Sequence, residues 1–372
     1  MDEETDFTLQ DAARNGRISR VKHLLDFAHV NAGDKEGNTP LHFAAWKGHT
    51  DVVDLLIDEY ASVRTSNQNG HSPMHLAIWN GQSHIVELLL RRGDTADSSG
   101  GKGITGLHIA ASKGHTGIVE LLIRKGASVA TFDTRGNTAL HCAARGGYIG
   151  PVDLLLKHGA SIQATNNYGK TPLHLAALNG HTGVAELLLK KGSSVDTTSD
   201  SGRTPLHLAL RIGHARIVEL LLNHGASLAN GSIFSKNALI VSAARGYTGV
   251  VALLLKRGAL IEASDGVGRT SLHFAALGGH ADVVEVLLAN GALIEAITEF
   301  KNTPLHLAAE KGRTNVVELL LTKGAQVEAM DINNHTPLHL AKQNGHSDTV
   351  QLLKNRAAEL GKSADDDLSS GT

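Results

Sequence analysis

Residues 171–202 read TPLHLAALNGHTGVAELLLKKGSSVDTTSDSG, and this stretch decides the fold because close copies of it fill the chain. The copies follow each other at a fixed interval, 33 positions from Thr39 to Ser72 and the same again to Thr105, without insertion or deletion. Their ten first positions are Thr39, Ser72, Thr105, Thr138, Thr171, Thr204, Asn237, Thr270, Thr303 and Thr336. A fixed period of this size indicates stacked structural repeats, so we expect one elongated array and not several globular domains.

Each copy carries the signals of two short helices. Thr171 suits a helix N-cap, and Pro172 suits the first helical position, where its missing N–H leaves nothing unsatisfied. His174 stands three residues after the cap, from where its ring can bond back to the cap residue. Gly180 provides the left-handed conformation that ends the first helix. The apolar spacing within residues 184–189 then predicts a second helix with one buried face.

The Thr-Pro-Leu-His segments at 39–42, 171–174 and 303–306 resemble the signature of the ankyrin repeat family. The Ala-Ala pair, the Gly-His turn and the Lys-Gly-Ala ending, as in residues 125–127, are also similar to that family. The resemblance spans about residues 6 to 361. It implies an all-α repeat solenoid of helix-turn-helix repeats, each with a β-hairpin finger. It also implies that the anchor histidines are structural, and that the finger tips and first helices line a concave binding surface.

The pattern predicts four segments. Residues 1–37 form an N-terminal segment with a capping repeat, and residues 38–334 hold nine repeats. Residues 335–361 form a C-terminal capping repeat, and residues 362–372, which include three consecutive Asp, form a disordered tail. The seventh repeat is degenerate, because Ile240 replaces the anchor histidine, so we expect residues 230–245 to be the least stable part of the array.

Composition argues against several functional classes. The net charge of −2 and the 3% aromatic content do not favour direct binding of nucleic acid. A single cysteine, Cys142, indicates a reducing compartment, and its apolar position predicts a buried, inert thiol. The acidic N-terminus does not resemble a signal peptide, and no apolar run approaches the length of a membrane span. We therefore expect a monomeric cytoplasmic or nuclear protein that does not bind membranes.

No catalytic or metal-binding motif stands out. Of the 22 histidines, nine fill the anchor position and six fill the turn after the glycine, so the repeat itself explains fifteen. The other seven show no metal-ligand spacing. Residues 99–103, SGGKG, only superficially resemble a phosphate-binding loop, because a Gly follows Lys102 where Ser or Thr is required. We expect no enzyme activity, no cofactor and no metal.

The candidate binding residues are those that depart from the repeat pattern at positions expected to face solvent. The only two tryptophans, Trp46 and Trp79, occupy the same position of the first helix in adjacent repeats, and Arg145 and Arg211 occupy it further along. The finger tips change from polar to apolar in the second half of the chain. The apolar tip residues include Phe234, Val267, Phe300 and Ile332. Two alternatives stay open: the tips fold down against neighbours, and the tryptophans merely pack near the N-terminal cap.

The sequence therefore predicts a non-enzymatic scaffold or adaptor that binds a protein on its concave face. One alternative is a nuclear transcriptional or signalling co-regulator that acts through a DNA-binding partner. Another is a secreted microbial effector that acts in a host cell. Both rest on analogy with the family and on no residue of this chain.

Overall fold

A computed structural model of the protein describes residues 8–227 and 238–361, which divide into two units, one up to Pro205 and one from Leu206. In the first unit the helices alternate as first and second members of successive repeats. They are α1 Leu9–Arg14, α2 Ile18–Leu25, α3 Pro40–Lys47, α4 Thr50–Asp58, α5 Pro73–Trp79, α6 Ser83–Arg91, α7 Gly106–Lys113, α8 Thr116–Arg124, α9 Ala139–Gly146, α10 Ile149–Lys157, α11 Pro172–Asn179 and α12 Thr182–Lys190.

The second unit repeats the same order of helices. They are α13 Pro205–Ile212, α14 Ala215–Asn223, α15 Ala238–Ala244, α16 Thr248–Lys256, α17 Ser271–Gly278, α18 Ala281–Ala289, α19 Pro304–Glu310, α20 Thr314–Thr322, α21 Pro337–Gln343 and α22 Ser347–Glu359. Its apolar positions are filled as in the first unit. In the seventh repeat, Ile240 is buried in α15. Both units are therefore all-α repeat solenoids, as the period predicts.

Helices stack in two rows within each unit. In the first unit the first helices α1, α3, α5, α7, α9 and α11 pack one on the next, and the second helices do likewise. The core consists of the residues that recur at the same position of each repeat: Leu41, Leu107, Leu140 and Leu173, for example, are fully buried. The alanines of the first helices are buried as well, which lets neighbouring helices approach closely. Burial thus comes from contact between repeats, because a single repeat has too few residues to cover its own apolar face.

The predicted cap chemistry is confirmed in α11. The Thr171 side chain caps the helix in a capping box with His174, and Pro172 occupies the first turn. Gly180 ends α11 in the left-handed region with φ of 81°. The finger hairpins are short: within the described residues the bridges pair Ser99 with Thr105, Phe132 with Thr138, and Ser264 with Thr270.

Three predicted features lie outside the described residues, at least in part. These are the tail 362–372, the finger residue Phe234 and residues 230–237 of the seventh repeat. The four-segment division and the low stability of residues 230–245 stay predictions. Among the described residues, no helix is both long and apolar enough to cross a membrane.

Tyr60 is strained, and relieving the strain should stabilise the protein. It follows α4 with φ of 64° at the position where later repeats hold Gly93 or Gly126, and its side chain is 88% exposed. A side chain in the left-handed region costs more than the added backbone entropy of glycine. We therefore expect Tyr60→Gly to raise the free energy of unfolding by about 0.5 to 1 kcal/mol.

The measurement is urea denaturation followed by circular dichroism. Gly126→Tyr is the reciprocal control, because Gly126 has φ of 92° and open space around the position of its missing Cβ. The free energy of unfolding of this variant should fall by a similar amount. A loss of stability in Tyr60→Gly would show that the aromatic ring contributes contacts that outweigh the strain.

Candidate functional site

Six of the nine anchor histidines join their repeat to the following one. In α3 the Thr39 backbone N–H donates to His42 Nδ1 at 3.1 Å, so the ring proton is on Nε2. His42 Nε2–H then donates to the carbonyl of His71, in the finger of the next repeat, at 3.0 Å. The same bond recurs between later repeats, and its pairs are His108–Asn137, His141–Lys170, His174–Arg203, His273–Asn302 and His306–His335. These side chains are thus occupied by structural bonds.

Burial keeps these histidines neutral. Desolvation lowers the pKa of His174 to about 4, against which the bond to the Arg203 carbonyl acts only partly. Desolvation also lowers the pKa of His42, His108, His141, His273 and His306. In these six repeats the imidazole is neutral and hydrogen-bonded at both nitrogens, so it is a structural group with no free nitrogen for catalysis or metal binding.

The glycine-rich finger at residues 99–103 differs from the others. Gly101–Gly103 form a short 3-10 turn, and Lys102 has φ of 64°. His75 is the anchor histidine of the repeat that precedes this finger, and its Nε2 has no hydrogen-bond partner within the described residues. Burial lowers the pKa of His75 to about 4. The loop connects α6 to α7 and does not follow a strand, so its geometry is that of a turn.

Other chemistry-bearing groups are also occupied by the scaffold. Cys142 is buried in α9, and desolvation raises the pKa of its thiol to about 11. Such a thiol is a poor nucleophile at neutral pH. In the described parts of the chain, no three His, Cys, Asp or Glu side chains are grouped as metal ligands.

The two tryptophans lie at the exposed ends of neighbouring first helices. Trp46 is 38% exposed near the end of α3, and Trp79 is 49% exposed at the end of α5. Asn80 Nδ2 donates to the Trp46 carbonyl at 3.0 Å, which places the two helix ends side by side. A lysine covers part of each ring: Lys47 Nζ is 4.4 Å from the centroid of Trp46, and Lys113 Nζ is 3.8 Å from that of Trp79.

The two arginines of the predicted site are exposed at the same position of later helices. Arg145 lies near the end of α9, and its carbonyl accepts a bond from His181 Nε2 at 2.9 Å. Arg211 lies in α13 of the second unit, and its carbonyl accepts from Arg245 Nη1 at 2.8 Å. In both cases the backbone is held by the next repeat while the guanidinium is exposed.

Backbone bonds join the fingers of the second unit at their tips. Glu299 N–H donates to the Val267 carbonyl at 3.1 Å, and Ile332 N–H donates to the Phe300 carbonyl at 2.9 Å. Phe300 is 53% and Ile332 55% exposed, whereas Val267 is half-buried. The structure therefore brings Val267, Phe300 and Ile332 together and leaves two of the three side chains largely in solvent.

The predicted residues are divided between the two units. Trp46, Trp79 and Arg145 belong to the first, and Arg211 and the described apolar tips belong to the second. Sequence reasoning missed two exposed apolar residues on the fingers of the second unit, Ile297 and Met330. They occupy the same position of neighbouring repeats, shortly before the tips, so a comparison of that column of the repeat would have found them.

These observations define a class, a helical repeat solenoid with exposed aromatic residues on its first helices and fingers. The model of a family described as ankyrin repeats (3 copies) matches residues 9–99, 93–166, 163–232, 226–298 and 293–364. The chain belongs to the ankyrin repeat family. Proteins of this family are typically non-enzymatic scaffolds for protein–protein interaction.

Similarity to individual relatives is local. The chain is 41% identical over 58 residues to osteoclast-stimulating factor 1 from Gallus gallus, which is 15% of this chain and 29% of that protein. It is 44% identical over 52 residues to ankyrin repeat domain-containing protein 49 from Homo sapiens, covering 13% and 22%. The chain thus matches less than a third of the length of these curated relatives.

Proposed function

We propose that the protein is a scaffold that binds a protein partner through the exposed ends of its first helices and through its finger tips. The observation that carries this proposal is the exposure of Trp46 and Trp79 at equivalent positions of adjacent repeats. Eight residues would contribute: Trp46, Trp79, Arg145, Arg211, Phe234, Val267, Phe300 and Ile332. The family supports the general role, and the side chains support the location.

Energetics favours the tryptophans as the main anchors. The alternative, that they only pack near the N-terminal cap, does not fit tryptophans that remain 38% and 49% exposed. Tryptophan offers a large rigid surface at low entropy cost, so residues of this type dominate binding energy when a partner covers them. The lysines over the rings would be displaced or would pair with the partner.

A pull-down from source-cell lysate, quantified by mass spectrometry, tests the proposal. The native chain is compared with a Trp46→Ala/Trp79→Ala variant after circular dichroism shows that both fold. We expect the variant to lose at least about tenfold of a specific partner, because each truncation removes a hot-spot side chain, while the melting curve stays nearly unchanged.

The chain offers a matched control pair. Phe27 and Tyr60 are also exposed aromatics in neighbouring repeats, but they follow the second helices α2 and α4. The Phe27→Ala/Tyr60→Ala variant should retain the partner. Equal capture by the native chain and the tryptophan variant, or loss of the partner only in the control, would place the contact on another face.

A further inference from the structure

We propose that the first-helix ends of the first unit recognise an acidic peptide segment that carries at least one large apolar side chain. This inference rests on the proposed function and specifies the chemistry of the partner. We call the surface the cationic tryptophan row. It consists of Trp46, Lys47, Trp79, Lys113 and Arg145.

The row is continuous because its helices are stacked in order. α3 packs on α5, α5 on α7, and α7 on α9. Side chains of the following repeat bond the carbonyls at the row: Asn80 to Trp46 as above, and His115 Nε2 to the Trp79 carbonyl at 3.4 Å. The helix ends are therefore held in register.

The charges of the row have one sign. The final positions of these four helices, with Asn80 after α5, read Trp46-Lys47, Trp79-Asn80, Ser112-Lys113 and Arg145-Gly146, without a carboxylate. Within the described residues, Lys47, Lys113 and Arg145 form no ion pair, and the two lysines lie over aromatic rings instead. These cations are therefore available to form ion pairs with a carboxylate of the partner.

The single sign of the row is a local feature, because the whole chain has a net charge of only −2. Second helix α4 carries Asp54 and Asp58, which are already bound by Arg92. Three of the first four fingers also present exposed cations at their tips, Lys35, Lys102 and Arg135, beside a single carboxylate at Glu36. Finger tips and first-helix ends thus share the same sign.

In the second unit Arg211 of α13 is again an exposed cation at this position, whereas α19 provides an internal contrast. There Glu310 follows the alanine pair of α19, and its carboxylate pairs with Lys311 Nζ at 2.8 Å. The positive charge of Lys311 is thereby satisfied within the protein. The combination of exposed tryptophan and unpaired cations is a feature of the first unit.

An acidic, apolar peptide matches this surface better than the other anionic partners. Carboxylates pair with the lysines at a protein surface and steer encounter, while an apolar side chain buries the ring faces. Nucleic acid takes its affinity from the neutralisation of many phosphates, and the row offers three cations over four repeats. Lipid headgroups would need an apolar face that inserts, and here the lysine chains cover the rings.

The test is selection of displayed random peptides of about 12 residues on the full-length chain, followed by fluorescence titration with the enriched peptides. Trp46 and Trp79 are the only tryptophans, so a tryptophan-free peptide that covers the row changes the intrinsic emission. We expect enriched peptides to be acidic with one or more aromatic or large aliphatic residues. Raising NaCl from about 0.05 to about 0.5 M should weaken their binding.

Charge variants then locate the contact. Lys113→Glu should weaken binding at least about tenfold, and Lys113→Arg should retain it, because the carboxylate contact needs only the charge. Lys190→Glu, the same change at the exposed end of second helix α12, is the matched control and should have little effect.

Each other outcome overturns the inference in a distinguishable way. Neutral or basic peptides among the enriched set, or binding that survives Lys113→Glu, would sink the acidic assignment while leaving a peptide-binding scaffold in place. Binding of an oligo-dT strand or of phosphatidylserine vesicles through Lys113, without acidic peptides, would replace the peptide by another anion. The chain could also retain no peptide at all while the Trp46→Ala/Trp79→Ala variant captures as much partner as the native chain. That result would contradict the proposed function as well.

Discussion

His174→Ala is expected to lower the free energy of unfolding by about 2 to 4 kcal/mol. The substitution removes three things at once. It removes the ring that accepts the Thr171 N–H at the start of α11, and it removes the donor to the Arg203 carbonyl of the next repeat. It also leaves a cavity where a fully buried side chain was. Urea denaturation followed by circular dichroism measures the loss.

His158→Ala is the matched control. His158 lies exposed at the end of α10, and its removal should change stability by less than about 0.5 kcal/mol. Hydrogen exchange should show that the His174 variant loses protection in α11 and in the finger that contains Arg203. Equal effects of the two substitutions would mean that the bond between repeats adds nothing to stability.

Acidification from pH 7 to pH 5 is expected to destabilise the protein steeply. Seven of the nine anchor histidines have a pKa lowered by burial in the folded chain, whereas the unfolded chain titrates near 6.5. Between these values the unfolded state binds more protons, so stability falls as the pH falls. Above about pH 6.5 these residues add no pH dependence.

The size of the effect follows from the same values. For a histidine with a folded pKa of about 4, such as His75 or His174, the cost at pH 5 is on the order of 2 kcal/mol. Several such residues act together, so the midpoint of urea unfolding should drop sharply between pH 6.5 and pH 5. His174→Gln should reduce the slope by up to one proton. A flat profile from pH 7 to pH 5 would contradict the buried, neutral state of these rings.

Much of the fold could be predicted because its signals are local. Thr171, Pro172, His174 and Gly180 each favour one backbone state for a stated chemical reason, and the structure places them as predicted. The same residues recur at the same spacing in successive repeats, so each copy independently supports the same assignment of helices and turns. The fold class follows from this pattern without any knowledge of long-range contacts.

The contacts between repeats could not be read in the same way. Nothing in the Thr-Pro-Leu-His pattern says that the second ring nitrogen of His42 reaches a carbonyl 29 residues on. The lysine over each tryptophan was missed for a related reason: Lys47 follows its tryptophan directly, but Lys113 comes from the next repeat. Side-chain directions and neighbours across repeats depend on the packing of whole helices, which the length of the repeat does not specify.

Among the candidate residues, the exposure of Trp46, Trp79, Phe300 and Ile332 agrees with the positions that the repeat predicts to face solvent. Val267 is half-buried, so its tip position did not determine its exposure. The contribution of these residues to binding stays a prediction. Exposure can be derived from a repeat pattern, but affinity depends on a partner surface that the chain does not contain.

The hydrogen bonds between neighbouring repeats have a consequence for engineering the length of the chain. Six anchor histidines bond forward across 29 residues, and the turn residues His49 and His181 bond backward to Arg14 and Arg145 across 35 and 36 residues. Excision or transplantation of one whole repeat, cut at equivalent points, preserves both kinds of partnership at the new junction. Removal or insertion of a segment that is not a whole number of repeats would misalign these donors and acceptors on both sides of the junction. The protein can therefore be lengthened or shortened in whole modules, and its surface can be recombined one module at a time.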